Sequence, residues 1–184
     1  MDKVHYYSTP TEDISLIKAQ YQEFAFQRHY HLDFHIGLIT KGQQKFVYQG
    51  ASHHVGAGQV VIMPPDELHD RLSKLDLGYQ VSVFAISPQW FQDLADPKLN
   101  GHTLGFSELI LSDQAAFSQL CNLHRLLITQ NVSQLAQDCL PFEGFSTIVD
   151  RYAKFGSKSD IKLGNQSIDT LKDYLMANLD QPVR

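Results

Sequence analysis

The sequence predicts a mainly β protein with a C-terminal α part: a sandwich or barrel of short strands followed by an antiparallel helical hairpin. Three observations predict it. Up to about Pro88, short apolar segments alternate with Gly and Pro turns, the pattern of a sandwich or barrel. From Asp113 the apolar residues recur at three and four, the helical period. After Gly156 the chain becomes small and polar, as a linker does.

Strands are expected in "DISLIKAQ", "YQEFAFQRHY", "HIGLIT", "QKFVYQ", "SHHVG", "QVVIM" and "YQVSVFAI". Lys41-Gly42, Gln49-Gly50, the "GAG" of Gly56 to Gly58 and the "PPDE" of Pro64 to Glu67 punctuate them. Gly accepts the positive φ of tight turns and Pro presets φ, so these are turn signals with a cause. The first long helix lies in "SDQAAFSQLCNLHRLLITQ", with Phe117, Leu120, Cys121, His124, Leu127 and Ile128 on one stripe and Ser112 or Asp113 as N-cap. The second carries Phe142, Phe145, Ile148, Val149 and Tyr152, with Asp138 as cap, Pro141 in the first turn and Gly156 past its end. A short polar loop between them makes an antiparallel hairpin. "GSKSDIKLGNQS" reads as a linker. "SIDTLKDYLMANLD" reads as a third helix, capped by Ser167, whose face of Ile168, Leu171, Tyr174 and Leu175 needs a surface to pack on. We read that helix as the opening of a further domain.

A chain of 184 residues, 43% hydrophobic and 19% charged, suits one globular domain with a small appendage. A net charge of -5 and no basic run argue against a nucleic-acid surface on these residues. Cys121 and Cys139 sit in helical segments and are expected as inert core residues. Two cysteines make no disulfide framework, which points to the cytoplasm. "MDKVHYYSTP" lacks the apolar stretch of a signal peptide, and "VVIM" is too short to span a bilayer.

The chemistry concentrates in "HYHLDFH", His29 to His35. Two histidines at i and i+2 on a strand point to one face, with Cα atoms roughly 6.6 Å apart, so His29 and His31 can reach one ion or one ligand. Along a straight strand His35 would lie roughly 13 Å from His31, too far to share the site. It joins only if the chain bends near Leu32-Asp33-Phe34. The plainer alternative makes His29 and His31 polar residues lining a barrel mouth. His53 and His54 alternate faces and are expected at the surface. His124, on the apolar face of a helix, is expected in a core or interface. The chain has no G-x-S-x-G, P-loop, C-x-x-C or H-E-x-x-H pattern.

With these residues in view, the chain resembles the cupin barrel, the double-stranded β-helix. "HYHLDFHIGLITKG" is similar to the first cupin motif, with His35 at the position of the family's Glu and Gly42 closing it. The leading Gly of that motif is replaced by Glu23. "GQVVIMPPDELH" is similar to the second, with Gly58, Pro64, Asp66 in place of Gly, and His69. The order of barrel, hairpin, linker and third helix resembles the sensing domains of AraC-type transcription regulators over nearly the whole chain.

The resemblance implies a cupin-like sensing barrel over residues 1–106, a helical hairpin for dimerisation over 107–156, and a linker with the start of a truncated DNA-binding domain over 157–184. It implies a small polar effector held by His29, His31, His35 and His69, the same four being the candidate metal ligands. No cofactor is expected beyond a divalent transition metal, which the imidazoles admit. Homodimerisation is expected through Phe117, Leu120, His124, Leu127, Phe145, Val149 and Tyr152, because their apolar density exceeds what one barrel face is expected to cover. DNA would be met only by residues outside this sequence, and no membrane partner is implied. The chain is read as no enzyme. The alternative is a metal-dependent cupin enzyme, of dioxygenase or isomerase type, on the same four histidines.

Overall fold

One strand of 15 residues organises the barrel: β4 (Phe34–Tyr48) runs unbroken through Lys41-Gly42, where the sequence suggests a turn. Gly42 has φ +71, and a side chain there would run into the Gly78 carbonyl. Only glycine takes that conformation at that spacing. The strand bends at this point and belongs to both sheets. The computed structural model describes residues 2–22, 26–71, 78–99, 102–129 and 133–156.

The other elements are β1 (Lys3–Ser8), β2 (Ile14–Tyr21), β3 (Phe26–His29), β5 (Ala51–Gly56), β6 (Val60–Met63), β7 (His69–Arg71), β8 (Tyr79–Ile86), α1 (Pro88–Leu99), β9 (Thr103–Phe106), β10 (Ile110–Leu111), α2 (Gln114–Thr129), α3 (Gln134–Tyr152) and β11 (Ala153–Gly156). The first half of β4 lies in a sheet of order β1-β2-β8-β4-β6-β10. Its second half pairs with β5 and β7, and β3 adds to β7. The strands pair antiparallel throughout, and the architecture is the expected cupin-like barrel with a helical hairpin.

The larger sheet is buried on both faces. On β2, Ile14 and Leu16 face the helices, while Ile17, Ala19 and Tyr21 face the barrel lumen. All four residues of β6 are buried, which is why "VVIM" reads as a continuous apolar run. Leu120, Leu123, Leu127, Phe145, Ile148 and Val149 of α2 and α3 share one core with Leu16, Ile36, Leu38, Ile62, Phe84 and Ile86 of the sheet. That core crosses the expected boundary at residue 106.

The expected dimerisation residues are therefore placed elsewhere. Leu120, His124, Leu127, Phe145 and Val149 are at most 4% exposed, and Phe117 and Tyr152 pack against the same core. The sheet has a second apolar face, and it covers the apolar density that suggested a partner. Five of the seven are interior in a single chain, and Phe117 and Tyr152 are half-buried against the same core.

Local capping explains the helix starts. Ser87 accepts the Trp90 N–H at 3.2 Å with Pro88 opening α1. Asp113 caps α2, its Oδ1 accepting from the N–H groups of Ala115 and Ala116 at 2.9 and 3.0 Å. Its Oδ2 accepts from Arg151 and from the Tyr152 hydroxyl, both at 2.8 Å, and so ties the start of α2 to the end of α3. Ser133, not Asp138, caps α3, and Pro141 falls inside the helix. Gly144 lets the helices touch, since a Cβ there would stand 2.7 Å from Leu123 Cδ2. Cys139 is exposed, against the expectation of a core thiol, and Cys121 is half-buried. The expected linker and third helix lie outside the described residues.

Candidate functional site

The histidines meet at the lumen through three separate pieces of chain. β3 ends at His29, and β7 opens with His69 as its direct cross-strand partner. His31 lies in the connection after β3, off any strand, so the same-face argument does not describe it. The chain turns over Tyr30 to Asp33 instead, which is the bend that His35 required. That turn is pinned by the Asp66 N–H, which donates to the His31 carbonyl at 2.8 Å. Asp66 stands where the cupin motif has Gly, and it has φ +60. Asp tolerates the left-handed region better than most residues, so the turn survives the replacement. His35 sits in β4 opposite Met63 and Ala85.

The rings converge. Centroids of His29 and His31 are 4.9 Å apart, those of His29 and His69 4.5 Å, and those of His31 and His69 5.0 Å. The ligating atoms of His29, His31 and His69 all lie within 4.8 Å of one another. His35 differs: its ring stacks on His31 at 3.6 Å and 21°. Nearly parallel stacked rings direct their in-plane nitrogens alongside each other rather than to one point, so His35 supports His31 and does not complete the triad. All four expected residues are brought together, in two roles.

Protonation states follow from burial. His35 is held down to about 4, first by loss of solvent and then by the neighbouring His69 and His29. His69 is 8% exposed. Its Nδ1 lies 2.9 Å from the Glu67 carbonyl. A carbonyl only accepts, so Nδ1 carries a proton and Nε2 is the nitrogen left for another partner.

The cavity beside the rings has a volume of about 170 Å3. Ile17, Ala19, Val61, Met63, Val81 and Val83 form its aliphatic wall, with Tyr6, Tyr21 and Gln44 adding polar groups. Among the described residues no Lys, Arg, Asp or Glu lines it. Gly37 belongs to the lining too, and a Cβ there would come within 2.8 Å of Val61 Cγ1. The wall residues were legible in principle: they are odd-numbered positions of β2, β6 and β8, the faces left over once even positions are given to the helices. Of the other histidines, His54 is exposed and His53 half-buried, its ring stacked on Phe46 at 5.2 Å. His124 is in the core, as expected, with Nε2 3.3 Å from the Val83 carbonyl.

A two-sheet barrel with a small histidine-ended lumen and a helical hairpin on its outer face defines a ligand-binding domain of cupin type. The chain belongs to the AraC-like ligand binding domain family, whose model matches residues 13–145. Among solved structures it is similar to apo ToxT from Vibrio cholerae, with a TM-score of 0.58 and 14% identity over 94% of this chain and 67% of that one. It is also similar to an RmlC-like cupin family protein with a double-stranded β-helix fold from Methanocaldococcus jannaschii. That match has a TM-score of 0.43 and 15% identity over 47% of this chain and 81% of that one. At such identities the likeness concerns fold alone. No curated protein matches the sequence. No helix among the described residues is long and apolar enough to cross a membrane.

Proposed function

We infer that this chain is the ligand-sensing and pairing part of a DNA-binding transcription regulator, with a small effector held at the histidine end of the lumen. The observation that carries the reading is the convergence of His29, His31 and His69 on the cavity of a domain that belongs to the AraC-like family. The role is binding and not catalysis. DNA contact falls to residues outside this sequence, in keeping with a net charge of -5. Effector binding acts by favouring one of two arrangements of a pair of chains.

The pairing surface is the outward stripe of α3. Leu135 (72% exposed), Cys139 and Phe142 (47% exposed) follow at i, i+4 and i+7, on one side of the helix. In sedimentation velocity the chain is expected to run as a dimer at micromolar concentration, and the double change Leu135→Asp, Phe142→Glu as a monomer. A monomeric parent removes the pairing part of the reading.

For the lumen, the test is thermal melting of the chain against a panel of sugars, amino acids, small carboxylates and divalent metal chlorides. One class is expected to raise the melting temperature. His31→Ala is expected to weaken that ligand by one to two decades, the loss of about 1–3 kcal/mol for a deleted partner in a buried site. A panel with no stabilising member, or a shift that His31→Ala leaves intact, overturns the assignment of the lumen.

A further inference from the structure

The outer face of the larger sheet carries a second opening, on the other side of the wall from the lumen. Beside the last turns of α2, two adjoining hollows of about 320 and 430 Å3 share Lys18, Thr40, Gln80 and Ser82. One reaches to Lys3, His5 and Tyr7 of β1, the other to Arg125, Ile128 and Thr129 of α2.

Strand pairing dictates which side chains gather there. Residues directly opposite one another on antiparallel strands point to the same face. His5, Lys18, Ser82 and Leu38 are successive partners across β1, β2, β8 and β4, and Lys3, Gln20 and Gln80 form the next row. Leu16 and Phe84 lie two residues away on the same strands and face, and both belong to the core under the hairpin. The face thus changes from apolar to basic and polar within one repeat of the strand.

Two observations show that this polar end is built for an anion. The first is a one-sided charge. The chain has 20 Asp and Glu against 15 Lys and Arg, yet Lys3, Lys18 and Arg125 line the groove and, among the described residues, no Asp or Glu does. These three cations make no salt bridge among the described residues. The second is Ser82, which is 8% exposed and lines both hollows. Its polar neighbours are committed: Thr40 donates to the Gln80 carbonyl at 3.3 Å, Thr129 to the Leu126 carbonyl at 3.1 Å, and the Gln80 amide to Gln20 Oε1 at 3.4 Å. Among the described residues the Ser82 side chain has no hydrogen-bond partner. A buried hydroxyl without a partner is costly, and an acceptor seated in the groove completes it.

We propose that this groove binds the phosphoryl group of a small molecule, with Lys18 and Arg125 as counter-charges and the Ser82 hydroxyl as a donor. A phosphoryl group carries close to two negative charges and three strong acceptor oxygens, so donors from separate elements serve it at once. Lys acts on it as a point charge and Arg as a bidentate fork. A carboxylate has two oxygens in one plane and is satisfied by one such fork, which leaves the other cations without a role. Ile128 and Cys121 offer apolar surface to the remainder of a phosphorylated molecule. Ala19 and Val81 line both this groove and the lumen, so the ligand rests on the back of the lumen wall while it touches the hairpin. The site is separate from the histidines and does not depend on what they bind.

The experiment titrates the 184-residue chain calorimetrically, in a phosphate-free buffer of low ionic strength. The probes are sodium phosphate, glucose 6-phosphate and adenosine 5′-monophosphate. Glucose, adenosine and sodium succinate are the unphosphorylated controls. Phosphorylated probes are expected to bind one per chain and the controls to give no heat. Lys18 and Arg125 are exposed, so Lys18→Gln and Arg125→Gln leave the core intact. Each should weaken binding about tenfold or more, and Ser82→Ala about tenfold, the loss of one hydrogen bond to a charged group. Lys154→Gln removes a cation elsewhere and should change nothing. His31→Ala alters the lumen and should leave phosphate binding as in the parent. Tighter binding of an ester than of inorganic phosphate identifies an organic phosphate as the ligand, and equal affinity identifies free phosphate; either upholds the phosphoryl site. Succinate binding as tightly as phosphate, or equal weakening by Lys154→Gln, would mean unspecific pairing with surface charge and overturns the proposal. Loss of phosphate binding in His31→Ala would put the ligand in the lumen and overturns it too. Absence of heat from every phosphorylated probe also overturns it, and leaves the reading of the lumen untouched.

Discussion

His124 gives the fold a dependence on pH that can be measured without knowing the effector. The ring is 3% exposed, between α2 and the sheet, edge-on to Phe84 with centroids 5.0 Å apart. Burial pulls its pKa from 6.5 down to about 4; the Val83 and Ile17 backbones favour the charged ring and Lys18 opposes it, but loss of solvent dominates. The unfolded chain therefore takes up a proton between pH 6.5 and 4 that the folded chain refuses. The stabilisation from the neutral ring is complete above pH 6.5 and is lost as pH falls toward 4. Between pH 7 and 4.5 that one ring costs about 2–3 kcal/mol of stability. His35, also near 4, acts in the same direction. Removing His124 should thus remove about half of the loss. The substitution is His124→Gln, whose amide can still donate to the Val83 carbonyl but cannot titrate. The assay is urea unfolding at pH 7 and 4.5, a window that stays above the main carboxylate range. The quantity compared is the change between the two pH values, not the stability at either. If parent and variant lose equal stability on acidification, His124 is not held neutral by burial, and the reasoning fails.

Two other changes test the frame. Asp113→Ala removes the α2 cap and the link to Arg151 and Tyr152, and should cost about 1–2 kcal/mol at pH 7 in chemical unfolding. The Ala116 N–H, then the Tyr152 hydroxyl and Arg151, hold the Asp113 carboxyl at about 2, so its stabilisation is present above pH 3.8 and fades below; the variant should show a shallower acid limb. Gly42→Ala and Gly50→Ala both place a side chain at positive φ, but Gly50 has open space and Gly42 meets the Gly78 carbonyl. Gly50→Ala should cost about 1–2 kcal/mol, and Gly42→Ala clearly more. Equal costs would show that Gly42 is not the bend of the barrel.

Much of this was legible from residue patterns, and the losses have physical causes. Period and turn residues marked β2, β6 and β8, and the helical period marked α2 and the core of α3. The same turn signals misled at Gly42, because a glycine that bends a strand and one that ends it look alike in one dimension. β1 and β7 were missed for opposite reasons: "KVHYYS" is almost wholly exposed and carries no alternation, and β7 is only three residues long. Pro141 suggested a first turn, but the Ser133 hydroxyl captured the helix start a full turn and more upstream. At the site, motif spacing placed four histidines together, whereas the strand period, offered for His29 and His31, fails because His31 lies off the strand. The distinction between a triad and a stacked fourth ring depends on ring orientation, which no spacing encodes. The pairing residues failed for one reason: an amphipathic stripe shows that a helix is covered, not what covers it.

The sheet buried on both faces has a consequence for dividing the chain. β2, β4, β6 and β8 form a single wall, one residue thick, between the lumen and the hairpin. A gene fragment ending near residue 106 would strip the hairpin from Leu16, Ile36, Leu38, Ile62, Phe84 and Ile86, and present that row to water. Such a fragment should be recovered as aggregate, while the pieces that start from α2 should have no core of their own. Barrel and hairpin thus share one core and are expected to fold as one unit. An exchange of sensing specificity between related chains would have to carry both, with its crossover placed after β11.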